Sequence, residues 1–325
     1  MDYRILGKTG LSVSVLGFGA SPLGNEFEQI DAAEGMRAVH YAVDQGINFF
    51  DVSPYYGRTL AEQRLGEALE GRRHKVVLAT KCGRYDVASF DFSAARVTAS
   101  VEESLRRLRT DYLDIIQAHD IEFGDREQII SETIPAFEQL QKQGKVRFIG
   151  ITGLPLQLLA DIAQRGHVDT VLTYCRYNLL IRDVDIVLRP LVEQSQLGLI
   201  NASPLHMGLL TERGAPAWHP APKTVVDAAA RVVETCRRHD ADVSKVALRF
   251  CLDYPGVATT LVGMSKTHHV AANLQAVASP NNAELLADIE KAIGPALNIT
   301  WPSGRPENQD RASSGKGNQS ASGQN

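Results

Sequence analysis

Residues 76–118 contain Val76-Val-Leu-Ala-Thr-Lys81, then Ser93-Ala-Ala-Arg-Val-Thr-Ala-Ser-Val-Glu-Glu-Ser-Leu-Arg-Arg-Leu108, then Leu113-Asp-Ile-Ile-Gln-Ala118. The outer two runs are short and almost continuously apolar, as strands covered on both faces must be. Between them Val97, Val101, Leu105 and Leu108 recur at helical spacing, with Ser93 placed to cap the helix. Strand, helix and strand in that order describe a parallel pair joined by a right-handed crossover.

The same rhythm extends in both directions. Leu16–Ala20, Asn48–Asp51, Val76–Lys81, Leu113–Ala118, Val146–Ile151, Val168–Tyr174, Gly198–Ala202 and Ala258–Val262 are eight such runs. Amphipathic stretches Ala33–Gln45, Arg96–Leu108, Glu127–Gln143 and Val184–Gln194 fall between them, and Ser244 reads as a further N-cap. Ahead of the first run, residues 3–6 and 12–16 form a hairpin around Gly7-Lys-Thr-Gly10. Eight strand-helix units favour a closed (β/α)8 TIM barrel, of the α/β class, over an open sheet. No G-x-G-x-x-G follows the first strand, which argues against a doubly wound nucleotide fold. The expected organisation is a barrel domain over residues 1–302. Residues 303–325, rich in Ser, Gly, Asn and Gln, are expected to be a disordered tail. Residues 205–223 form a long loop after the seventh strand, of a length usually tied to function.

Composition narrows the classes of function. A chain of 325 residues with 44% hydrophobic and 22% charged content has an ample globular core. A net charge of -4 without a basic block points away from nucleic acid. No apolar run reaches the roughly 18 residues a membrane span needs. Met1-Asp-Tyr-Arg-Ile-Leu-Gly7 lacks the pattern of a secretory signal. Cys82, Cys175, Cys236 and Cys251 are too scattered for a zinc site or a disulfide frame. A cytoplasmic protein, monomer or homodimer, without a metal and acting on a small molecule is expected.

Barrels place their chemistry at the carboxyl ends of strands. Those positions hold Asp51, Lys81 and His119, and Tyr56 follows Asp51 in Val52-Ser-Pro-Tyr-Tyr-Gly57. A tyrosine hydroxyl titrates near 10, too high for proton traffic at neutrality. An ammonium about 4 Å away favours the phenolate by about 4 kcal/mol at an effective dielectric of about 20. That predicts a Tyr56 pKa about three below its usual value before desolvation takes some back. Asp51 would hold Lys81 charged, and His119 would hydrogen-bond the substrate oxygen. Each residue alone reads more readily as structural; all four at successive strand ends read as a site.

Asp51-x4-Tyr56-Gly57 with Glu62 and Leu65-Gly66, Ala79-Thr-Lys81, and Tyr112-Leu-Asp-Ile-Ile-Gln-Ala-His119 resemble the signature of the aldo-keto reductases. The resemblance runs to about residue 300. It implies hydride transfer with a nicotinamide cofactor, Tyr56 as general acid/base, and Asp51, Lys81 and His119 as its partners. Longer strings, among them Lys81-Cys-Gly-Arg-Tyr-Asp86, His119-Asp-Ile-Glu-Phe-Gly124 and Trp218-His-Pro220, resemble a branch that oxidises the anomeric carbon of a sugar with NAD. Another sugar, a pyridoxal-like aldehyde, or a nicotinamide-binding regulatory subunit remain as alternatives.

Cofactor contacts follow by the same resemblance. Thr152-Gly153 and Tyr174 match the positions that hold the carboxamide, though Gly153 replaces an asparagine. Ala202 replaces a tyrosine that stacks on the ring. Ser203, Leu205 and Gly208 match the pyrophosphate loop; Gly263-Met264-Ser265, His269 and Asn273 match the adenosine end. His269 stands where NADP-dependent members carry arginine, which implies NAD over NADP, with Lys266 the one contrary feature. Arg84, His206 and Trp218 are candidates for the sugar hydroxyls, and Trp301 a weaker one.

Overall fold

The computed structural model describes residues 1–310. Strands β1 (Tyr3–Ile5) and β2 (Ser12–Ser14) form the expected antiparallel hairpin, with Tyr3 opposite Ser14. Leu6, Leu11 and Val13 insert among Phe49, Val77, Ile115, Leu172, Ile200 and Leu261 and so plug one end of the barrel. All eight expected barrel strands exist, two with the expected bounds and six with ends shifted by one or two residues. They are β3 (Leu16–Gly19), β4 (Phe49–Asp51), β5 (Val77–Cys82), and, after a small hairpin β6 (Arg84–Asp86) and β7 (Ser89–Phe90), β8 (Leu113–Ala118). β9 (Val146–Gly153), β10 (Thr170–Tyr174), β11 (Gly198–Ala202) and β12 (Thr259–Gly263) complete them. The parallel order β10-β11-β12-β3-β4-β5-β8-β9 closes on itself through the pairing of β9 with β10.

Alternation along each strand divides the apolar residues into two layers. Phe49, Val77, Ala79, Ile115, Leu172 and Leu261 fill the barrel. Phe18, Phe50, Leu78, Ile116, Ile151 and Val171 face outward to the helices. Continuing the inward set toward the carboxyl ends gives Asp51, Lys81 and, one residue past β8, His119. The polar groups therefore stand on an apolar floor.

Three helical expectations need correction. Glu127–Gln143 is not one α-helix: Arg126–Gln128 and Ile134–Lys142 flank a π-helical turn at Ile129–Thr133. Val184–Gln194 breaks into Val184–Val187 and Arg189–Ser195 ahead of Pro190, which has no N–H to continue the ladder. The helix Val243–Asp253 is capped by Asp242, whose carboxylate accepts from Ser244 N and Lys245 N, rather than by Ser244. Ser93 does cap Ala94–Arg107, accepting from Arg96 N.

The expected tail begins too early. Residues 303–310 lie on the barrel, and residues 311–325 fall outside the described part. Ser303 Oγ donates to Glu122 Oε1 at 3.1 Å, and Asn308 Nδ2 donates to the carbonyls of Glu122 and Gly124. Asp310 accepts from Leu156 N and Gln157 N at the start of the helix Leu156–Gly166, and pairs with buried Arg176 at 2.8 Å. The segment is held by polar contacts to loop backbone and one buried cation, so the lack of apolar periodicity conceals it. A chain ending at Pro302 should melt about 3 °C lower or more, since a lost cap and a lost partner for Arg176 are each worth about 1 kcal/mol or more. An unchanged melting temperature would show that these contacts contribute nothing.

Candidate active site

Lys81 Nζ has three protons and meets three acceptors: Asp51 Oδ1, the Val52 carbonyl at 2.9 Å and Tyr56 Oη at 3.3 Å. Asp51 takes a second bond from Gln117 Nε2 at 2.9 Å. Lys81 and Asp51 are both buried. Desolvation works against the Lys81 charge, but Asp51 and the Tyr56 oxygen outweigh it and hold the ammonium above its ordinary pKa. Tyr56 is placed by the glycine after it. Gly57 has φ +58, and a Cβ there would lie 2.2 Å from the Gly24 carbonyl, so the loop after β4 presses directly on the loop after β3.

The expectation of a depressed Tyr56 pKa is overturned. Burial pushes the phenol up to about 12 despite Lys81. The pairwise attraction is present, but the cost of removing water from around the phenolate is larger. Tyr56 thus rests as a phenol, accepting from Lys81 and free to donate toward the mouth.

His119 lies edge-on to Tyr56, ring centres 5.8 Å apart. Burial depresses its pKa to about 3, so the ring is neutral at working pH. Its tautomer follows from proton accounting. Ser53 Oγ is 3.1 Å from Nδ1 and already accepts from Tyr55 N, also at 3.1 Å. Ser53 is fully buried, and its hydroxyl proton has no other acceptor among the described residues. Ser53 therefore donates to Nδ1, and the ring carries its hydrogen on Nε2. Nε2 stands 3.6 Å from Asp120 Oδ2, too far for a hydrogen bond. Ser53, Gln117 and Asp120 were missed in the sequence because only the fold shows what they touch.

A polar wall continues from His119. Asp120 N donates to Thr152 Oγ1 at 3.1 Å, and Tyr174 Oη donates to Glu122 Oε1 at 3.3 Å. Glu122 is wholly buried, and desolvation together with Asp120 raises its carboxyl to about 8. Its Oε2 has no partner among the described residues, and a Cβ at Gly153 would lie 2.7 Å from it. Glycine at 153 is thus required by the Glu122 carboxyl group. Arg84 lies over the Tyr55 ring at 4.0 Å, bonded to Asp120 and, at 3.1 Å, to Tyr55 Oη.

Opposite that wall the mouth is open. The inward positions at the ends of β3, β11 and β12 are Gly19, Ala202 and Gly263, all solvent-accessible, and Gly19 is in register with Asp51. Ser203, His206, Met207 and Gly208 all have positive φ, so the loop after β11 winds left-handed. Leu205, in the middle of it, is half-buried. Met264 is in the core and its N–H is bonded to Gly19 O, while Ser265 is buried beside it. His269 and Asn273, half-buried, share one face of the helix Thr267–Ala278.

Two candidates sit differently from expectation. His206 is fully buried, with Nδ1 3.0 Å from Asn178 Nδ2, and lies under Trp301 and His219. It does not reach the tetrad. Trp218 is 63% exposed with its ring beside that of His219, whereas Trp301 is the tryptophan that packs down, beside Tyr174 and Met207. No metal-binding cluster occurs among the described residues.

The sequence model of the aldo/keto reductase family matches residues 15–293. The chain belongs to that family. It is 46% identical to L-galactose dehydrogenase of Arabidopsis thaliana, over 95% of this chain and 99% of the relative. It is 28% identical to D-threo-aldose 1-dehydrogenase of a Pseudomonas species, over 87% and 95%. Among solved structures, an aldo-keto reductase of Bacillus halodurans in its holo form superposes with a TM-score of 0.78 at 33% identity, covering 91% of this chain and 98% of that one.

Tyr56→Phe should lower kcat about 10²–10⁴-fold while cofactor binding is kept. Ser53→Ala should lower kcat less, by freeing the His119 tautomer, and Ser53→Thr should restore it. Steady-state kinetics and a cofactor titration check both; wild-type turnover in Tyr56→Phe would remove the tyrosine from the chemistry. Oxidation should rise with pH as Tyr56 loses its proton, and Lys81→Met should move that rise to higher pH. A pH profile of kcat unmoved by Lys81→Met would dissociate the pair.

Proposed function

We propose that this protein is an NAD-dependent aldose 1-dehydrogenase that oxidises L-galactose at its anomeric carbon to L-galactono-1,4-lactone. The observation that carries the reading is a complete Asp51–Tyr56–Lys81–His119 constellation in a chain similar over 95% of its length to an L-galactose dehydrogenase.

The residues present fit a nicotinamide. Gly19, Ala202 and Gly263 leave an accessible floor for a flat ring beside Asp51, and Thr152 keeps a hydroxyl proton to donate, since its oxygen already accepts from Asp120 N. Bound there, the oxidised cofactor supplies the hydride acceptor and a positive charge that favours the Tyr56 phenolate. The protein's own part is the proton. The anomeric hydroxyl gives its proton to Tyr56 Oη as C1 gives up hydride, and C1–O1 becomes the lactone carbonyl. Lys81 stabilises the Tyr56 phenolate that takes this proton, and His119 Nε2–H holds O1. Acting on the closed lactol, the site needs no added water.

Two carboxylates support NAD over NADP. Glu34 Oε1 accepts from Thr267 N at 2.8 Å at the start of the helix that carries His269, and that bond with its neighbours holds the carboxyl at about 2. Glu28 pairs with Lys266 at 2.8 Å, which neutralises the one contrary cation. An additional phosphate near His269 would find Lys266 already paired with Glu28, and an imidazole held below its usual pKa by burial. The proposal also includes a cytoplasmic location and a monomer or homodimer. Among the described residues no helix is long and apolar enough to cross a membrane.

A sugar panel with NAD and NADP, followed by nicotinamide absorbance, tests the reading. L-galactose with NAD should be turned over fastest, with a lactone as the first product seen by rapid NMR. His269→Arg should shift preference toward NADP, because a guanidinium pairs with a phosphate through charge-assisted bonds. Inactivity on L-galactose with brisk turnover of simple aldehydes, or a wild-type preference for NADP, would reject it.

A further inference from the structure

His119 Nε2–H and the Asp120 carboxylate form an adjacent donor and acceptor, 3.6 Å apart, that do not bond each other. Both residues are about 95% buried. The donor is directed by Ser53 and the acceptor by Arg84, so neither is free to turn away. Arg84 is itself pinned, with its guanidinium over Tyr55 at 4.0 Å and near Phe90 and Phe123 at 5.4 and 5.7 Å. Asp120 adopts a left-handed backbone, φ 51, a region aspartate enters more readily than most residues, and its N–H is tied to Thr152 Oγ1. A carboxylate accepts about four hydrogen bonds, and the described residues supply Asp120 with one side-chain donor, Arg84.

We infer that Asp120 is the specificity-determining residue that accepts the hydroxyl on the carbon next to the anomeric one. This rests on the sugar reading proposed above. With O1 held between Tyr56 Oη and His119 Nε2–H, a neighbouring hydroxyl oxygen lies roughly 2.8 Å from O1, about one hydrogen-bond length. A donor and an acceptor 3.6 Å apart suit two oxygens so spaced. O1 takes the imidazole hydrogen, and the O2 hydroxyl gives its hydrogen to Asp120. A substrate lacking O2 leaves a buried carboxylate short of a donor, a costly omission. The site is thereby built for a 1,2-diol and against simple aldehydes. A purely structural Asp120, present only to hold Arg84, would not distinguish substrates that differ at O2.

The test compares kcat/KM for L-galactose and 2-deoxy-L-galactose with NAD. In the wild type the deoxy sugar should be poorer by about 10²-fold or more. In Asp120→Ala, L-galactose should fall to near the deoxy sugar and the gap should close. Asp120→Asn, with its amide oxygen taken by Arg84, should narrow the gap while keeping shape. Equal kcat/KM for the two sugars in the wild type overturns the assignment without any variant, so misfolding of a mutant cannot hide its failure. A full gap surviving in a folded Asp120→Ala overturns it as well. No turnover of L-galactose would instead reject the proposed substrate; the comparison then runs on the aldose that is oxidised and its 2-deoxy form, with the same outcomes. If no aldose is oxidised, both readings fall.

Discussion

An ammonium taken out of water carries a desolvation cost of several kcal/mol, recovered only if its charge is paired and each of its protons is placed. Lys81 meets that demand with one carboxylate, one backbone carbonyl and one phenol. The carbonyl fixes the backbone at Val52, the carboxylate fixes the end of β4, and the phenol fixes the loop that carries it. Asp51 has a second oxygen to satisfy, and Gln117, one strand beyond Lys81, supplies the donor. Three neighbouring strands are thus tied at their carboxyl ends by one buried charge. Removing either ion would leave the other uncompensated, at about 3–5 kcal/mol. A hydrophobic replacement of the whole pair would pack as well, so the arrangement is retained for what it does to Tyr56.

That influence is a balance. Lys81 draws Tyr56 toward phenolate, and burial pushes it further the other way. The attraction could be anticipated from residue types and strand positions, because it depends on two groups. The desolvation could not, because it depends on every atom that replaces water around the hydroxyl. The same distinction separates what was legible elsewhere. Eight apolar runs at barrel spacing, the leading hairpin and the tetrad are periodic or positional features, and the chain displays them directly. Ser53, Asp120 and Glu122 act through partners from distant parts of the chain, Ser53 on the His119 ring, Asp120 on Arg84 and Thr152, and Glu122 on Tyr174 and Ser303. Residues 303–310 look like a tail because they dock through backbone carbonyls and caps, which leave no apolar signature.

Gly153 shows how a departure from the family pattern becomes intelligible. Read alone, it is a lost side chain. In the fold it is the space occupied by Glu122, whose carboxyl group receives Leu154 N, Ser303 Oγ and Tyr174 Oη on one oxygen. The loss at one position and the carboxyl group at another are a single packing decision. It joins the loops after β8, β9 and β10 to the segment that follows Trp301, so the polar wall of the mouth is braced from outside the barrel.

The two sides of that mouth then differ in kind. The ends of β4, β5 and β8 carry charge and hydrogen-bonding groups, whereas those of β3, β11 and β12 carry Gly19, Ala202 and Gly263. Their boundary falls between β3 and β4, where Gly19 is paired with Asp51. Neighbouring strands are about 4.8 Å apart, so an open floor and a proton-handling group lie one strand spacing from each other. A reaction that takes a proton and a hydride from adjacent atoms needs two unlike surfaces at that separation, one polar and one flat and uncrowded. The barrel provides them because parallel strands in register bring their carboxyl ends to the same level. The residues that distinguish the two sides are therefore set by which strand they end, and the order of closure places the unlike ends side by side.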